Sequence, residues 1–130
     1  MRKTLLAAVA ISLACITVFV VVAAWLLSRP VPPKIDAADA VALAASADRL
    51  MLNTPADEVP RHVWPAAFRK YEPEAVWIRQ EGMYLRTGSA FVEDWGIFVP
   101  RAGSRFPFER SGDPSYRLLG DRIYWYFTKG

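Results

Sequence analysis

A continuous apolar run occupies the start of the chain. Residues 4–28 carry no charged side chain, and Arg2 and Lys3 directly precede them. As an α-helix, a run of this length spans roughly 37 Å at about 1.5 Å per residue, more than the ~30 Å hydrocarbon core of a bilayer. We therefore predict that residues 1–28 form a transmembrane signal-anchor helix whose residues 4–28 contact lipid. Because basic flanks are retained in the cytoplasm, the rest of the chain is expected outside.

A cleaved signal peptide is the alternative interpretation of this run. Val22, Ala23 and Ala24 supply the small residues of a cleavage site. However, about 18 apolar residues precede them, whereas the apolar core of a signal peptide has about 7–15. The length therefore favours an uncleaved anchor. Residues 29–35 follow with three prolines, which predict a stiff polyproline II linker.

Apolar residues return at helical spacing after the linker. A helix is predicted from Asp36, its N-cap, to Leu52, with an apolar face of Ala40, Leu43, Ala44, Ala47, Leu50 and Met51. Prolines favour two shorter helices, at residues 54–59 and 64–71. In the second of these, Trp64 and Phe68 are four residues apart and are expected to pack together.

From residue 75 onward the apolar period changes to an alternation typical of strands. It predicts strands at 75–80, 83–87, 90–93, 95–99, 116–119 and 122–128. Turns are expected at Glu81-Gly82, Gly88-Ser89 and Gly120-Asp121, a surface loop at 100–114, and a bulge or close backbone approach at Gly96. Helices followed by a run of strands indicate an α+β fold. Residues 36–130 are thus expected to form a small domain of two or three short helices packed on a four- to five-stranded antiparallel sheet.

The alternation also separates the side chains of the two sheet faces. In the last strand, Ile123 and Trp125 alternate with Tyr124 and Tyr126. One face is therefore apolar and suits a core beneath the helices. The other carries Tyr84, Arg86, Tyr124 and Tyr126 and is predicted to be a wet binding face, because Tyr and Arg are enriched at interface hot spots. The alternative is that these Tyr and Arg side chains only cover a half-exposed sheet and bind no partner.

Charge and cysteine content narrow the possible functions. The chain has 16 basic and 13 acidic residues, but once Arg2 and Lys3 are set apart, 14 basic and 13 acidic residues remain. Such a balance provides no strong basic field, so no nucleic-acid partner is expected. The single cysteine, Cys15, lies in the apolar run, which excludes a disulfide within the chain.

Residues suited to catalysis or metal binding are sparse. His62 is the only histidine, which excludes the usual zinc sets, and no motif places a nucleophile beside it. Glu93 and Asp94 are adjacent, and adjacent side chains on a strand point apart. We therefore predict no catalytic residues, no bound metal and no cofactor.

These observations favour a non-enzymatic function at a membrane. The expected protein is a single-pass anchor of the bacterial inner membrane with a small periplasmic interaction domain. Its partner is expected to be an envelope or membrane protein. Two alternatives stay open: a small envelope hydrolase using His62 or the Glu93–Asp94 pair, and an immunity-type inhibitor of an envelope-targeting toxin.

Overall fold

The structure, a computed structural model, describes residues 1–27, 29–105 and 110–130, without the side chains of residues 2, 3 and 5. The chain divides into two compact units, Met1–Val31 and Pro32–Gly130. The first unit contains helix α1 (Arg2–Leu27). Within it, Leu6–Leu27 has a mean hydropathy of 2.8 and is long and apolar enough to cross a membrane. The predicted N-terminal apolar helix is confirmed.

The second unit begins with helix α2 (Ala37–Asn53), close to its predicted bounds. The carboxylate of Asp36 accepts a hydrogen bond of 2.7 Å from the backbone N–H of Asp39, so the predicted N-cap is confirmed. Helix α2 buries its alanine-rich face, which consists of Ala40, Leu43, Ala44, Ala47 and Met51. Small residues on this face let the helix approach the sheet closely.

Within the described residues, five strands form one antiparallel sheet, which confirms the predicted α+β fold. They are β1 (Ala75–Ile78), β2 (Gly82–Ala90), β3 (Glu93–Pro100), β4 (Ser115–Gly120) and β5 (Ile123–Thr128). Their order across the sheet is β1-β2-β3-β5-β4. The predicted loop becomes the connection between β3 and β4, of which residues 106–109 lie outside the described residues.

The larger hydrophobic core lies between α2 and one face of the sheet. The strands contribute Val76, Ile78, Met83, Leu85, Ile97, Val99, Ile123 and Trp125 to it. The four-residue helix α3 (Ala66–Arg69) adds Phe68 to the same buried cluster that contains Trp64. The indole N–H of Trp64 donates a hydrogen bond of 2.9 Å to the carbonyl of Val59, so this buried polar group is satisfied.

The helix predicted at residues 54–59 is wrong. This segment bends at Thr54, Ala56 and Asp57, and Glu58 forms an isolated β-bridge with Trp77 of β1. The N–H of Val59 donates to Val76, and the N–H of Ile78 donates to Asp57. Pro60 leaves room for about one helical turn, too little to repay helix nucleation. The open edge of β1 offers these backbone groups partners instead, so tertiary pairing overrides the local helix signal.

The turn predicted at Gly88-Ser89 is also wrong. Strand β2 runs through both residues with a bulge between Arg86 and Gly88, and the chain reverses at Phe91 and Val92. Gly88 serves packing, because a Cβ there would lie 2.5 Å from Nε1 of Trp95. The close backbone approach predicted at Gly96 is confirmed, because a Cβ there would clash with the carbonyl of Leu85. The β-bulge lies in the neighbouring strand β2, between Arg86 and Gly88, and not at Gly96.

Candidate functional site

The sheet face turned away from the core carries two rows of side chains that cross all five strands. Strand register places one row at Trp77, Tyr84, Phe98, Tyr124 and Leu118. The parallel row consists of Ala75, Arg86, Gly96, Tyr126 and Tyr116. We call this surface the aromatic face. It unites the four residues predicted from sequence, because alternation along each strand sends them to the same side.

Aromatic rings pack against one another at the middle of this face and form a second, smaller core. Phe98 is 0 % exposed, and its ring centroid lies 4.5 Å from Tyr84 and 5.2 Å from Tyr116. Tyr84 and Tyr126 meet edge to face at 5.1 Å. Tyr126 is only 4 % exposed, so the expectation of a wet surface is wrong for this residue. Tyr126 is buried because the neighbouring aromatic rings pack against it and exclude water.

The tyrosine hydroxyls on this face form a hydrogen-bonded chain. Tyr84 donates to Oε1 of Glu81 at 2.9 Å, and its oxygen lies 2.8 Å from the hydroxyl of Tyr116. Because Tyr84 has one proton to give, Tyr116 is the donor in the second bond. Burial, with these hydrogen bonds, holds the pKa of Tyr84 far above its usual range, and burial also raises the pKa of Tyr126. Both phenols are therefore neutral near pH 7.

The guanidinium of Arg86 contacts two carboxylates and one aromatic ring. Its Nε lies 3.3 Å from Oε2 of Glu74, and one terminal nitrogen lies 3.6 Å from Oδ1 of Asp94. The guanidinium carbon lies 4.9 Å from the ring centroid of Trp77, within the range of a cation–π contact. Two carboxylates thus neutralise this cation, so Arg86 orients Trp77 and does not present a free positive charge.

A groove of about 420 Å³ opens between these groups. The residues that line it include Trp77, Arg79, Tyr84, Arg86, Asp94 and Tyr126. Gly96 stands between Arg86 and Tyr126 in the cross-strand row, and the carbonyl of Leu85 occupies the position that a Cβ of Gly96 would take. The resulting aromatic groove combines flat apolar walls with hydrogen-bonding groups, a composition suited to holding a partner's side chain.

The structure gathers some of the predicted residues and separates others. Tyr84, Arg86 and Tyr126 line the aromatic groove, whereas Tyr124 packs beside the buried ring cluster. Asp94 faces the groove, so strand alternation sends the neighbouring Glu93 to the opposite face.

The other chemical candidates lie outside the aromatic groove. His62 is exposed in a 3-10 turn, Arg61–Val63. Cys15 is a free thiol on α1. Within the described parts of the chain, no three His, Cys, Asp or Glu side chains gather as ligands for a metal ion.

Sequence reasoning missed three groups that build the groove. No functional role followed from the sequence for Trp77, Glu74 or Glu81. The signal for Trp77 was its position opposite Tyr84 across the first hairpin. Glu74 gave no signal, because only the folded sheet brings it to Arg86.

Comparisons with protein-family models, with curated proteins and with solved structures find no match for this chain. Its function is therefore inferred from the aromatic face and the apolar helix.

Proposed function

We propose that this protein is a single-pass membrane-anchored interaction module. Helix α1 anchors it in a bacterial inner membrane, with Arg2 and Lys3 on the cytoplasmic side. The α+β domain then lies in the periplasm and binds an envelope or membrane protein through the aromatic groove. The length and hydropathy of Leu6–Leu27 support the anchor.

The observation that carries the binding proposal is the make-up of the aromatic groove. Trp, Tyr and Arg are the residues that most often dominate binding energy at protein interfaces, and Trp77, Tyr84 and Arg86 stand side by side here. Their positions are held in advance by ring packing, hydrogen bonds and ion pairs. A rigid site loses less side-chain entropy on binding, which favours affinity.

The chemistry of the groove favours binding over hydrolysis. Burial raises the pKa of Tyr84 and of Tyr126, so both phenols are protonated near neutral pH and are available as hydrogen-bond donors to a partner. Glu93 and Asp94 point to opposite faces of β3, which does not suit a pair of acids acting on one bond.

Site-specific photocrosslinking of the full chain in its own membrane tests the proposal. A photoreactive residue at Arg79, which lines the groove, is expected to yield one discrete adduct. The same residue at Arg49, exposed on α2, is the control. Trp77→Ala is expected to abolish the Arg79 adduct while the domain stays folded. An adduct that survives Trp77→Ala, or that forms equally from Arg49, contradicts binding through the groove.

Orientation is tested separately from binding. With Cys15→Ser as background, a cysteine at Ala45, exposed on α2, is treated with a membrane-impermeant maleimide in intact spheroplasts. Rapid labelling is expected for a periplasmic domain. Labelling only after lysis would place the domain in the cytoplasm and reverse the proposed topology.

A further inference from the structure

The tip of the β2–β3 hairpin consists of two exposed apolar residues. Ala90 pairs with Glu93, and Phe91 and Val92 form the turn between them. Phe91 is fully exposed, at 108 % of its reference area, and Val92 is 69 % exposed. Among large apolar side chains described in Pro32–Gly130, Phe91 is the most exposed. Turn positions in soluble domains are usually polar, so this tip is an exception.

The backbone at the tip makes the choice of phenylalanine more unusual. Phe91 has a φ of +56°, in the left-handed region that Gly, Asn and Asp occupy most readily. A bulky side chain in this conformation is strained, and here it gains no contact within the domain in return. Both the exposure and the strain would disappear with glycine. A residue that is costly in two ways at one exposed point indicates a contact outside the domain.

We propose that Phe91 and Val92 form a lipid wedge: a hairpin tip that inserts shallowly into the interface of the bilayer that α1 spans. This inference rests on the proposed membrane anchoring, because a tethered domain stays near lipid. From Leu27 to Ile35, which packs on the domain core, the chain reaches at most roughly 29 Å. A domain of about 100 residues has a radius of gyration of about 13 Å. The tether therefore keeps the domain as a whole close to the membrane.

The shape and charge of the tip favour lipid over a protein pocket. A two-residue turn closed by the Ala90–Glu93 pair exposes few unpaired backbone groups, so little polar surface must be desolvated. The tether raises the local concentration of lipid around the tip, which lets a weak contact form. Glu93 follows directly and stays in water, which limits insertion to the two side chains. The same carboxylate disfavours an anionic surface.

Fluorescence quenching of the full chain in pure lipid vesicles tests the wedge. In a Cys15→Ser background, the environment-sensitive dye NBD is attached at Ala90→Cys, beside the intact tip, or at Ala45→Cys on α2 as the matched control. Both alanines are exposed. Phosphatidylcholine carrying a doxyl spin label near the headgroup is expected to quench the dye at position 90 and not at position 45. Vesicles half composed of phosphatidylglycerol are expected to give weaker quenching.

Two variants connect the quenching to the side chain of Phe91. Phe91→Gly is expected to lower the lipid-contacting fraction about tenfold, which corresponds to the loss of ~1.4 kcal/mol for a partly buried phenylalanine. Phe91→Asn, which also tolerates a positive φ, is expected to act alike. Both are expected to keep the near-ultraviolet circular dichroism of the domain. A purely structural role for Phe91 would instead make Phe91→Gly unfold more readily.

The outcomes separate the wedge from the anchor on which it rests. A chain released from the vesicles by alkaline carbonate contradicts the proposed anchor. A chain that is retained, yet equally unquenched at positions 90 and 45, overturns the wedge alone. Quenching that is unchanged by Phe91→Gly also overturns it. If the NBD fluorescence at position 90 changes with the number of protein molecules per vesicle and not with the spin-labelled lipid, the tip contacts a second copy of the chain. That result refutes the lipid contact.

Discussion

The truncation Phe98→Ala tests whether the aromatic face is a second core. Phe98 is 0 % exposed at the centre of the ring cluster, with Tyr84 and Tyr116 packed on it. Truncating a fully buried phenylalanine to alanine costs about 3–5 kcal/mol, because transfer energy and ring contacts are lost and a cavity remains. A domain of this size has a free energy of unfolding of roughly 5–15 kcal/mol. The loss is therefore a large part of the total.

The assay is urea unfolding of the full chain in detergent micelles, followed by tryptophan fluorescence. Since 1 kcal/mol shifts the melting temperature of a domain this small by about 4–8 °C, Phe98→Ala should also lower it by at least ~12 °C. Leu118→Ala is the matched control in the same cross-strand row, and it is 55 % exposed. We expect the control to change stability by less than about 0.5 kcal/mol. A Phe98→Ala cost below about 1 kcal/mol would refute the inference that the rings exclude water.

Three further predictions concern single positions on the same sheet. Phe91→Gly should raise the free energy of unfolding by about 0.5–1 kcal/mol in lipid-free detergent, because glycine relieves the strain of the left-handed backbone at Phe91 by more than its own entropy cost. A lower urea midpoint than that of the unaltered chain would contradict this. The pKa of Tyr84 is raised in the folded state, so its contribution to the free energy of unfolding is complete below pH ~10 and is lost as the pH rises further. In Tyr84→Phe the free energy of unfolding should therefore fall less steeply above pH ~10, by up to ~1.4 kcal/mol per pH unit. Urea midpoints from pH 8 to 11 measure this difference. Arg86→Met should cost about 1 kcal/mol at low salt and less at 1 M salt, because Glu74 and Asp94 lose a partly exposed partner; a salt-independent cost would assign the effect to packing.

Local patterns predicted the elements whose cause is local. The helix at Ala37–Asn53 was predictable because its capping Asp36 and its apolar spacing act within a few residues. The second hairpin was predictable because Gly120 and Asp121 separate two alternating runs, and Asp121 adopts the positive φ of 42° that such a turn uses. Assignment of Tyr84 and Arg86 to one face followed from the two-residue period alone.

Predictions failed where a distant neighbour decided the outcome. Gly88 looks like a turn residue, yet the indole of Trp95 on the next strand needs the space that a Cβ would fill. The segment around Glu58 resembles a helix start, yet β1 needs backbone partners at its edge. In both cases the competing interaction comes from another strand, so no local window of sequence contains it.

What the amino-acid sequence determined by itself is the apolar N-terminal helix, the α+β class and the division of side chains between the two sheet faces. These follow from composition and periodicity, which the chain carries whatever its tertiary contacts. Tertiary structure alone decided that Phe98 and Tyr126 are buried on the supposedly wet face, and that Glu74 and Asp94 neutralise Arg86. Strand order and register bring these residues together, and both depend on contacts between strands that are distant in sequence.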